Sequence, residues 1–251
     1  MNSVGFVSHN FVQVGRVMEL YGVNTKCSIS EETVHRALSL LGVDQQQRIY
    51  RFRRWSDRLN ALTGQMLAVG HVSNHLGLPA RSVQLSTNGH GKPLVKHAME
   101  LDFNVSHSGH WVLFASDRQD IGIDVEWVRP VDVCHIGPRI LSRREWNALY
   151  RCEPSNRISL FYEIWTLKES YVKAKGVGLS MQFNGFDVCE DGGTLRDIIE
   201  DTNGQIYTFG RYEIDDGYRA AVCAKSGRLA EGIKLISLRD TFEMFFDQMR
   251  R

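Results

Sequence analysis

Two acidic residues that lie two positions apart suggest the first chemistry of this chain. Asp124 and Glu126 belong to the segment IGIDVE at 121–126. Because side chains alternate along a strand, the apolar residues take one face and the two carboxylates take the other, with Cα atoms roughly 7 Å apart. Such a pair favours a bound cation, and Mg²⁺ suits it because this ion takes oxygen ligands together with water and phosphate. A strand face with two solvated acids is the alternative, and this segment alone does not decide between them.

A third carboxylate, Glu169, lies four positions before Lys173 in the segment FYEIWTLKESYVKAK at 161–175. The spacing places both side chains on one helical face and is typical of a surface ion pair. The same helix is crowded with aromatic and apolar residues, namely Phe161, Tyr162, Ile164, Trp165, Leu167, Tyr171 and Val172. We therefore expect Glu169 and Lys173 to lie in a partly covered site.

The segment FNVSHSG at 103–109 adds Ser106 and His107 just before a glycine turn. A loop of this kind can direct hydroxyl, imidazole and backbone N–H groups at an anion. An ordinary β-turn is the alternative interpretation. Serine hydrolysis is not supported, because the chain contains no G-x-S-x-G nucleophile elbow.

The elements that must position these side chains follow from hydrophobic periodicity. Strands are predicted at 17–23, 103–107, 111–115, 121–126, 205–214 and 218–224, and helices at about 57–75 and 160–175. A short helix with Ser28 as its capping residue ends before Gly42, and Phe242, Phe245, Phe246 and Met249 predict a last amphipathic helix. That helix must dock on the body of the protein or on a partner. This order predicts an α+β fold with largely antiparallel pairing.

Composition excludes several classes of protein. The chain has 251 residues, and 30 basic against 29 acidic residues give a formal charge of +1, so we expect binding of neither nucleic acid nor membrane. The five cysteines contain no CxxC pair, which indicates reduced thiols in a cytosolic protein. No signal peptide or long apolar run is visible. We predict a cytoplasmic monomer.

The motif segments occur in a fixed order: NGHGKP, FNVSHSG, IGIDVE and then FYEIWTLKESYVKAKGVGLS. Together they closely resemble the Sfp-type 4′-phosphopantetheinyl transferases, whose signature pairs G-[IV]-D-[VI]-E with W-x-x-K-E-[SA]-x-x-K. The resemblance implies a pseudo-dimer of two similar α/β halves with the active site in the cleft between them. We expect an extension at 1–16, a half at 17–120 that binds coenzyme A phosphates, a half at 121–225 that binds metal and carrier protein, and a helical tail at 226–251.

The resemblance also implies the catalytic and metal-binding residues. Asp124, Glu126 and Glu169 would bind Mg²⁺ beside the pyrophosphate of coenzyme A. Lys173 would contact that pyrophosphate and steady the departing 3′,5′-ADP. Glu169 would accept the proton of the attacking hydroxyl, directly or through a metal-bound water, so Asp124, Glu169 and Lys173 form the predicted catalytic set.

A second group of residues would bind the nucleotide of coenzyme A. Lys92 and His107 would bind phosphates of its 3′-phospho-ADP moiety, with help from Ser106, and Arg48 stands where the family often has a basic residue that reaches the 3′-phosphate. The chain departs from the family at Asn60, where an arginine that holds the nucleotide is usual. Arg54 and Arg58 are the neighbouring basic residues that would have to replace it.

The implied reaction moves 4′-phosphopantetheine from coenzyme A to a serine of an apo acyl or peptidyl carrier protein, with release of 3′,5′-ADP. Two alternatives stay open at this point. One is a metal-dependent hydrolase that removes phosphopantetheine from carriers, and the other is a non-catalytic carrier-binding module. The sequence does not distinguish fatty-acid, polyketide and nonribosomal-peptide carriers.

Overall fold

The computed structural model describes residues 18–96 and 100–251, so the predicted extension at 1–16 lies outside them. The strands are β1 (Glu19–Asn24), β2 (Leu85–Thr87), β3 (Pro93–Val95), β4 (Asp102–Ser108), β5 (Trp111–Asp117), β6 (Ile121–Trp127), β7 (Ile198–Glu200), β8 (Ile206–Tyr212), β9 (Tyr218–Ala224) and β10 (Lys234–Ile236). The helices are α1 (Glu31–Ser39), α2 (Val43–Tyr50), α3 (Trp55–Leu76), α4 (Val133–Ile140), α5 (Arg143–Arg151), α6 (Arg157–Lys175) and α7 (Leu238–Arg250). The predicted α+β class is confirmed.

Two four-stranded sheets form the framework. The first has the order β10-β1-β5-β4 and the second has the order β6-β9-β8-β7, while β2 and β3 form a separate small ladder. Within residues 18–96 and 100–251, the paired strands are antiparallel except for β1 with β10, which run parallel. The largely antiparallel pairing was therefore predicted correctly, while the boundaries of the two halves stay a prediction.

Each sheet packs against one long helix, and a glycine ends that helix. Helix α3 ends at Gly77 with φ 64°, and α6 ends at Gly176 with φ 65°. This left-handed backbone is easily reached by glycine, which lacks a Cβ. The glycines predicted to end both helices do so, whereas each helix begins two or three residues before its predicted start. The predicted cap of α1 was wrong, because the Ser30 hydroxyl, and not that of Ser28, accepts the hydrogen bond from the Thr33 N–H.

The segment after the second sheet returns to the first sheet. Strand β10 pairs with β1, and α7 packs against α3 in a shared hydrophobic core. Phe242, Phe245 and Met249 of α7 are buried in this core. The last amphipathic helix therefore docks on the body of the protein. Across the described part of the chain, none of the helices combines the length and the apolar character needed to span a bilayer.

The two sheets meet where their edge strands β4 and β6 run side by side, and side chains of β4 bridge the gap. We call these bridges the side-chain ladder. In its four rungs, oxygens of Asp102, Asn104, Ser106 and Ser108 accept hydrogen bonds from the backbone N–H groups of Ile121, Ile123, Val125 and Trp127 respectively. Each rung joins residues 19 positions apart, over 2.8 to 3.4 Å. The ladder satisfies backbone donors that would otherwise be unpaired at the edge of the second sheet.

Candidate active site

Close contact between α6 and β6 brings the acidic and basic residues together. A Cβ atom at Gly122 would lie 2.1 Å from the Ser170 carbonyl oxygen and 2.4 Å from the Ala174 nitrogen. These distances are too short for any side chain, so the contact requires glycine at this position. Helix α6 therefore lies directly on the strand that carries Asp124.

Lys173 of α6 reaches across this contact to the carboxylate of Asp124. Its Nζ lies 2.6 Å from Asp124 Oδ1, 3.0 Å from Ser106 Oγ and 3.3 Å from the Ile123 carbonyl oxygen. Among the described residues Lys173 thus forms its ion pair with Asp124 and not with Glu169, the partner that helical spacing suggested. Asp124 is only 3 % exposed. Its Oδ2 has no hydrogen-bond partner in the described part of the chain.

Glu126 and Glu169 share the negative environment around Asp124. Burial raises the pKa of Glu126, and the charge of Asp124 raises it further, while hydrogen bonds from Ser108 and Trp165 lower it. Burial, followed by the charge of Asp124, raises the pKa of Glu169 to about 7, although Lys173 opposes the shift. Three carboxylates therefore influence one another at this position, and a cation would relieve their repulsion.

The donor set fits a hard cation, but the described residues do not form a ready metal site. In residues 18–96 and 100–251, no group of three or more His, Cys, Asp or Glu side chains is arranged to hold a metal ion. The free oxygen of Asp124 and the repulsion among the three carboxylates, which contributes to the raised pKa values of Glu126 and Glu169, nevertheless fit an oxygen-liganded cation that would neutralise their charge. The three predicted metal ligands stay a prediction.

A neighbouring cavity of about 280 Å³ brings together two of the predicted nucleotide-binding residues. Arg48 of α2 and His107 of β4 both line it, together with Asn60. Burial lowers the pKa of His107, and the positive charge of Lys173 lowers it further. The imidazole is therefore biased toward its neutral form, in which one ring nitrogen donates and the other accepts. The Phe52 ring contacts it edge-on, with the ring centres 6.2 Å apart.

Lys92 uses its ammonium group for hydrogen bonds within the protein. Its ammonium group donates to Asp102 Oδ2, to the Ile121 carbonyl oxygen at 3.0 Å and to the Ala174 carbonyl oxygen at 3.2 Å. These three acceptors use all three of its protons, and the side chain is 8 % exposed. In this structure Lys92 links the loop before β3 to β4, β6 and α6. Its contact with phosphate stays a prediction, and that contact would have to replace one of these bonds.

Ser106 and Asn60 also use their polar groups within the protein. The Ser106 hydroxyl donates to Asp124 Oδ1 at 2.9 Å, and its predicted contact with the nucleotide stays a prediction. Asn60 is buried, and it donates to the Gly109 carbonyl oxygen at 3.0 Å while its Oδ1 accepts from Thr25 Oγ1 at 2.7 Å. Asn60 therefore fixes the turn between β4 and β5. Of the two neighbouring arginines, Arg58 donates from Nε to the Phe52 carbonyl oxygen at 2.7 Å.

Comparison with known proteins assigns the family. A model of the "4'-phosphopantetheinyl transferase superfamily" matches residues 120–223, and a model of "4'-phosphopantetheinyl transferase, N-terminal" matches residues 26–119. The chain belongs to the 4′-phosphopantetheinyl transferases. It is similar to 4'-phosphopantetheinyl transferase Sfp of Bacillus subtilis (strain 168), with 31 % identity over 224 residues that cover 89 % of this chain and 99 % of the relative.

Two further relatives support the same family. One is 4'-phosphopantetheinyl transferase ffp of Bacillus subtilis, 33 % identical over 88 % of this chain and 98 % of the relative. The other is the L-aminoadipate-semialdehyde dehydrogenase-phosphopantetheinyl transferase of Mus musculus, 29 % identical over 61 % of this chain and 54 % of the relative. The resemblance that the motifs indicated is therefore confirmed.

Sequence patterns predicted no role for several residues of the transferase signature. Lys168 is one of them: it is fully buried and pairs with Glu145 at 2.9 Å. It also donates to the carbonyl oxygens of Phe183 and Phe186, which ties the segment after α6 to that helix. Breaking a buried ion pair by removing one partner leaves an uncompensated charge, so this cluster is a structural support of α6.

Ser108 and Trp165 were missed in the same way. Ser108 Oγ donates to Glu126 Oε2 at 2.9 Å, and Trp165 Nε1 donates to Glu126 Oε1 at 3.2 Å. One signal was available in the sequence, because Asp102, Asn104, Ser106 and Ser108 are polar at every second position of the segment DFNVSHS. Such alternation predicts a polar strand face, but it does not reveal that a second strand edge lies against that face.

Proposed function

We propose that this 4′-phosphopantetheinyl transferase moves the phosphopantetheine arm of coenzyme A to a serine hydroxyl of an acyl or peptidyl carrier protein. The observation that carries the proposal is the meeting of Asp124, Glu126, Glu169 and Lys173 where the two sheets join. Membership of the family supports the reaction, and the match extends over nearly the whole length of the Bacillus relatives. The proposed co-substrate is coenzyme A and the proposed metal is Mg²⁺.

Coenzyme A binds with its nucleotide in the cavity lined by Arg48 and His107. The guanidinium group of Arg48 is suited to a phosphate because it presents several donors in a fixed plane. A neutral His107 donates one hydrogen bond without adding charge, while Lys173 supplies positive charge on the side nearer the carboxylates. In this proposal the pyrophosphate of coenzyme A lies between the cavity and the acidic residues.

The proposed transfer is a single displacement at the β-phosphorus of coenzyme A. The serine oxygen forms a bond to the β-phosphorus, and the bond from that phosphorus to the bridging oxygen breaks. The bridging electron pair leaves with 3′,5′-ADP, whose new charge Lys173 stabilises. The serine proton passes to Glu169, whose carboxylate can accept it directly or through an intervening water.

The carboxylates of Asp124, Glu126 and Glu169 would hold the metal. Bound Mg²⁺ would stabilise negative charge on the phosphate oxygens. Asp124 offers its free Oδ2 for this purpose, while its Oδ1 keeps the ion pair with Lys173. The hydrolase and the non-catalytic module are not favoured, because the curated relatives are named transferases.

The direct test is incubation of the purified protein with coenzyme A, Mg²⁺ and separate apo acyl and peptidyl carriers, followed by intact-protein mass spectrometry. We expect each accepted carrier to gain the mass of one phosphopantetheine, and a carrier with alanine in place of its serine to gain none. Asp124→Asn serves as the inactive control. Loss of mass from a holo-carrier without any gain by the apo form would contradict the transferase and support the hydrolase.

A further inference from the structure

The carboxylate of Glu126 is held on both of its oxygens, and the two donors come from different parts of the fold. Oε2 accepts from Ser108 Oγ at 2.9 Å, and Oε1 accepts from Trp165 Nε1 at 3.2 Å. Ser108 ends β4 of the first sheet, while Trp165 belongs to α6, which packs on the second. A carboxylate has about four acceptor positions, so two of them stay available.

The direction of the Ser108 hydrogen bond is fixed by its neighbour in the side-chain ladder. The backbone N–H of Trp127 can only donate, and it donates to Ser108 Oγ at 3.1 Å. The single proton of the hydroxyl is therefore left for Glu126. Ser106 repeats the arrangement one rung earlier, because it accepts from the Val125 N–H and donates to Asp124.

Trp165 is fixed by stacking. Its ring lies on that of Phe183 with centres 5.5 Å apart and an angle of 15° between the planes, and Phe161 stacks at 6.4 Å. The indole N–H can only donate, and the Glu126 carboxylate is its hydrogen-bond acceptor at this position. A ring that cannot rotate freely gives the bond a defined direction.

We propose that Ser108 and Trp165 are positioning residues that hold the Glu126 carboxylate in the orientation needed to bind the divalent cation. This inference rests on the proposed function, in which Glu126 is a metal ligand. This role requires no contact of either residue with substrate or metal. They act through Glu126, in the way that hydrogen-bond partners of metal ligands generally fix the geometry of those ligands.

A purely structural role would give a different result, and the ladder offers a matched control. The Asn104 side chain forms a rung of the same kind, to the Ile123 N–H at 3.0 Å. Replacing Asn104 by alanine removes a rung without changing the hydrogen bonds of Glu126. Ser108→Thr keeps the hydroxyl, and it suits a strand because threonine is β-branched.

The test compares Ser108→Ala, Ser108→Thr, Trp165→Phe and Asn104→Ala with the wild-type protein. Mn²⁺ binding is measured by electron paramagnetic resonance without coenzyme A or carrier, and thermal unfolding is followed without metal. We expect Ser108→Ala and Trp165→Phe each to raise the Kd for Mn²⁺ roughly tenfold. Ser108→Thr and Asn104→Ala should stay within about twofold of wild type, although Asn104→Ala should lower Tm.

A second measurement reports on Trp165 directly. Its indole N–H resonance, assigned by its absence in Trp165→Phe, should shift when Mg²⁺ is added to the wild-type protein. Unchanged Mn²⁺ affinity in both Ser108→Ala and Trp165→Phe would overturn the inference, and so would an equal loss of affinity in Asn104→Ala. Failure of the wild-type protein to bind Mn²⁺ would overturn it together with the metal assignment, whereas mass gain of a carrier would still report the transferase.

Discussion

Replacement of Gly122 by alanine should damage catalysis by moving α6 away from β6. The added Cβ would lie 2.1 Å from the Ser170 carbonyl oxygen, about 1.3 Å short of the 3.4 Å at which ordinary contact begins. The atoms it meets belong to the backbone of α6, so no side-chain rotation relieves the clash. Overpacking of this kind typically costs about 1 to 3 kcal/mol of unfolding free energy.

The loss of rate should exceed what this loss of stability suggests. Glu169 and Lys173 move with the helix, and the 2.6 Å contact between Lys173 Nζ and Asp124 Oδ1 depends on its position. A displacement of about 1 Å in a catalytic arrangement can reduce the rate on the order of a hundredfold. We therefore expect Gly122→Ala to fold with a lower Tm and to transfer phosphopantetheine about a hundred times more slowly.

The assay is the single-turnover rate of carrier modification, measured together with thermal unfolding. Gly185→Ala is the matched control, because the nearest atom to its added Cβ would lie at an ordinary 3.6 Å. That variant should keep both the rate and the Tm of the wild-type protein. A Gly122→Ala protein with wild-type rate and wild-type stability would refute the argument that close packing of α6 on β6 sets the geometry of the site.

Three further predictions address single groups. Arg48→Ala should raise the KM for coenzyme A more than it lowers kcat, because a remote phosphate changes little during the reaction. With dephospho-coenzyme A, which lacks that phosphate, the variant and the wild-type protein should have the same KM. Loss of kcat alone would contradict the role of Arg48 in binding the phosphate. Glu169→Gln and Lys173→Met should each reduce the single-turnover rate at least about a hundredfold. The fold-reduction in the double variant should be much smaller than the product of the two single fold-reductions, because both residues act on one step. Near-wild-type rates in either single variant would contradict the assignment of these residues to the active site. The pKa of Glu169 is raised to about 7, so its carboxyl group is protonated at lower pH, and Mg²⁺ affinity measured by calorimetry should fall about tenfold between about pH 8 and about pH 6. Glu169→Gln should remove most of this pH dependence. If the affinity of that variant changes with pH as it does in the wild-type protein, the proton belongs to another group.

Local patterns predicted the elements that carry the site. The apolar alternation of β6 and the glycines at 77 and 176 depend only on neighbouring residues, so the strand and the two helix ends could be inferred from the sequence. The cap of α1 was placed two residues too early. Ser28 satisfies a capping-box spacing. The choice between Ser28 and Ser30 as the cap depends on the path that the chain takes between the end of β1 and the start of α1.

Contacts between distant segments could not be predicted in this way. The sequence gives no sign that Lys92 reaches Asp102 and two carbonyl oxygens, or that β4 and β6 meet through side chains. These contacts depend on how two sheets pack, which involves residues far apart in the chain. The same applies to the ion pair of Lys173, because helical spacing pointed to Glu169 and tertiary packing supplied Asp124 instead.

The return of β10 and α7 to the first sheet has a consequence for the order of folding during synthesis. Proteins are made from the N-terminus, and their domains generally fold in that order. Here Leu62, Met66 and Val69 of α3 share a core with Phe242 and Phe245 of α7. The second sheet can therefore form while the apolar face of α3 still lacks its cover. The first sheet and α3 are synthesised before the second sheet, but their packing is completed only after it, when β10 and α7 are added. A nascent chain interrupted before β10 would expose the apolar face of α3 to chaperones and proteases.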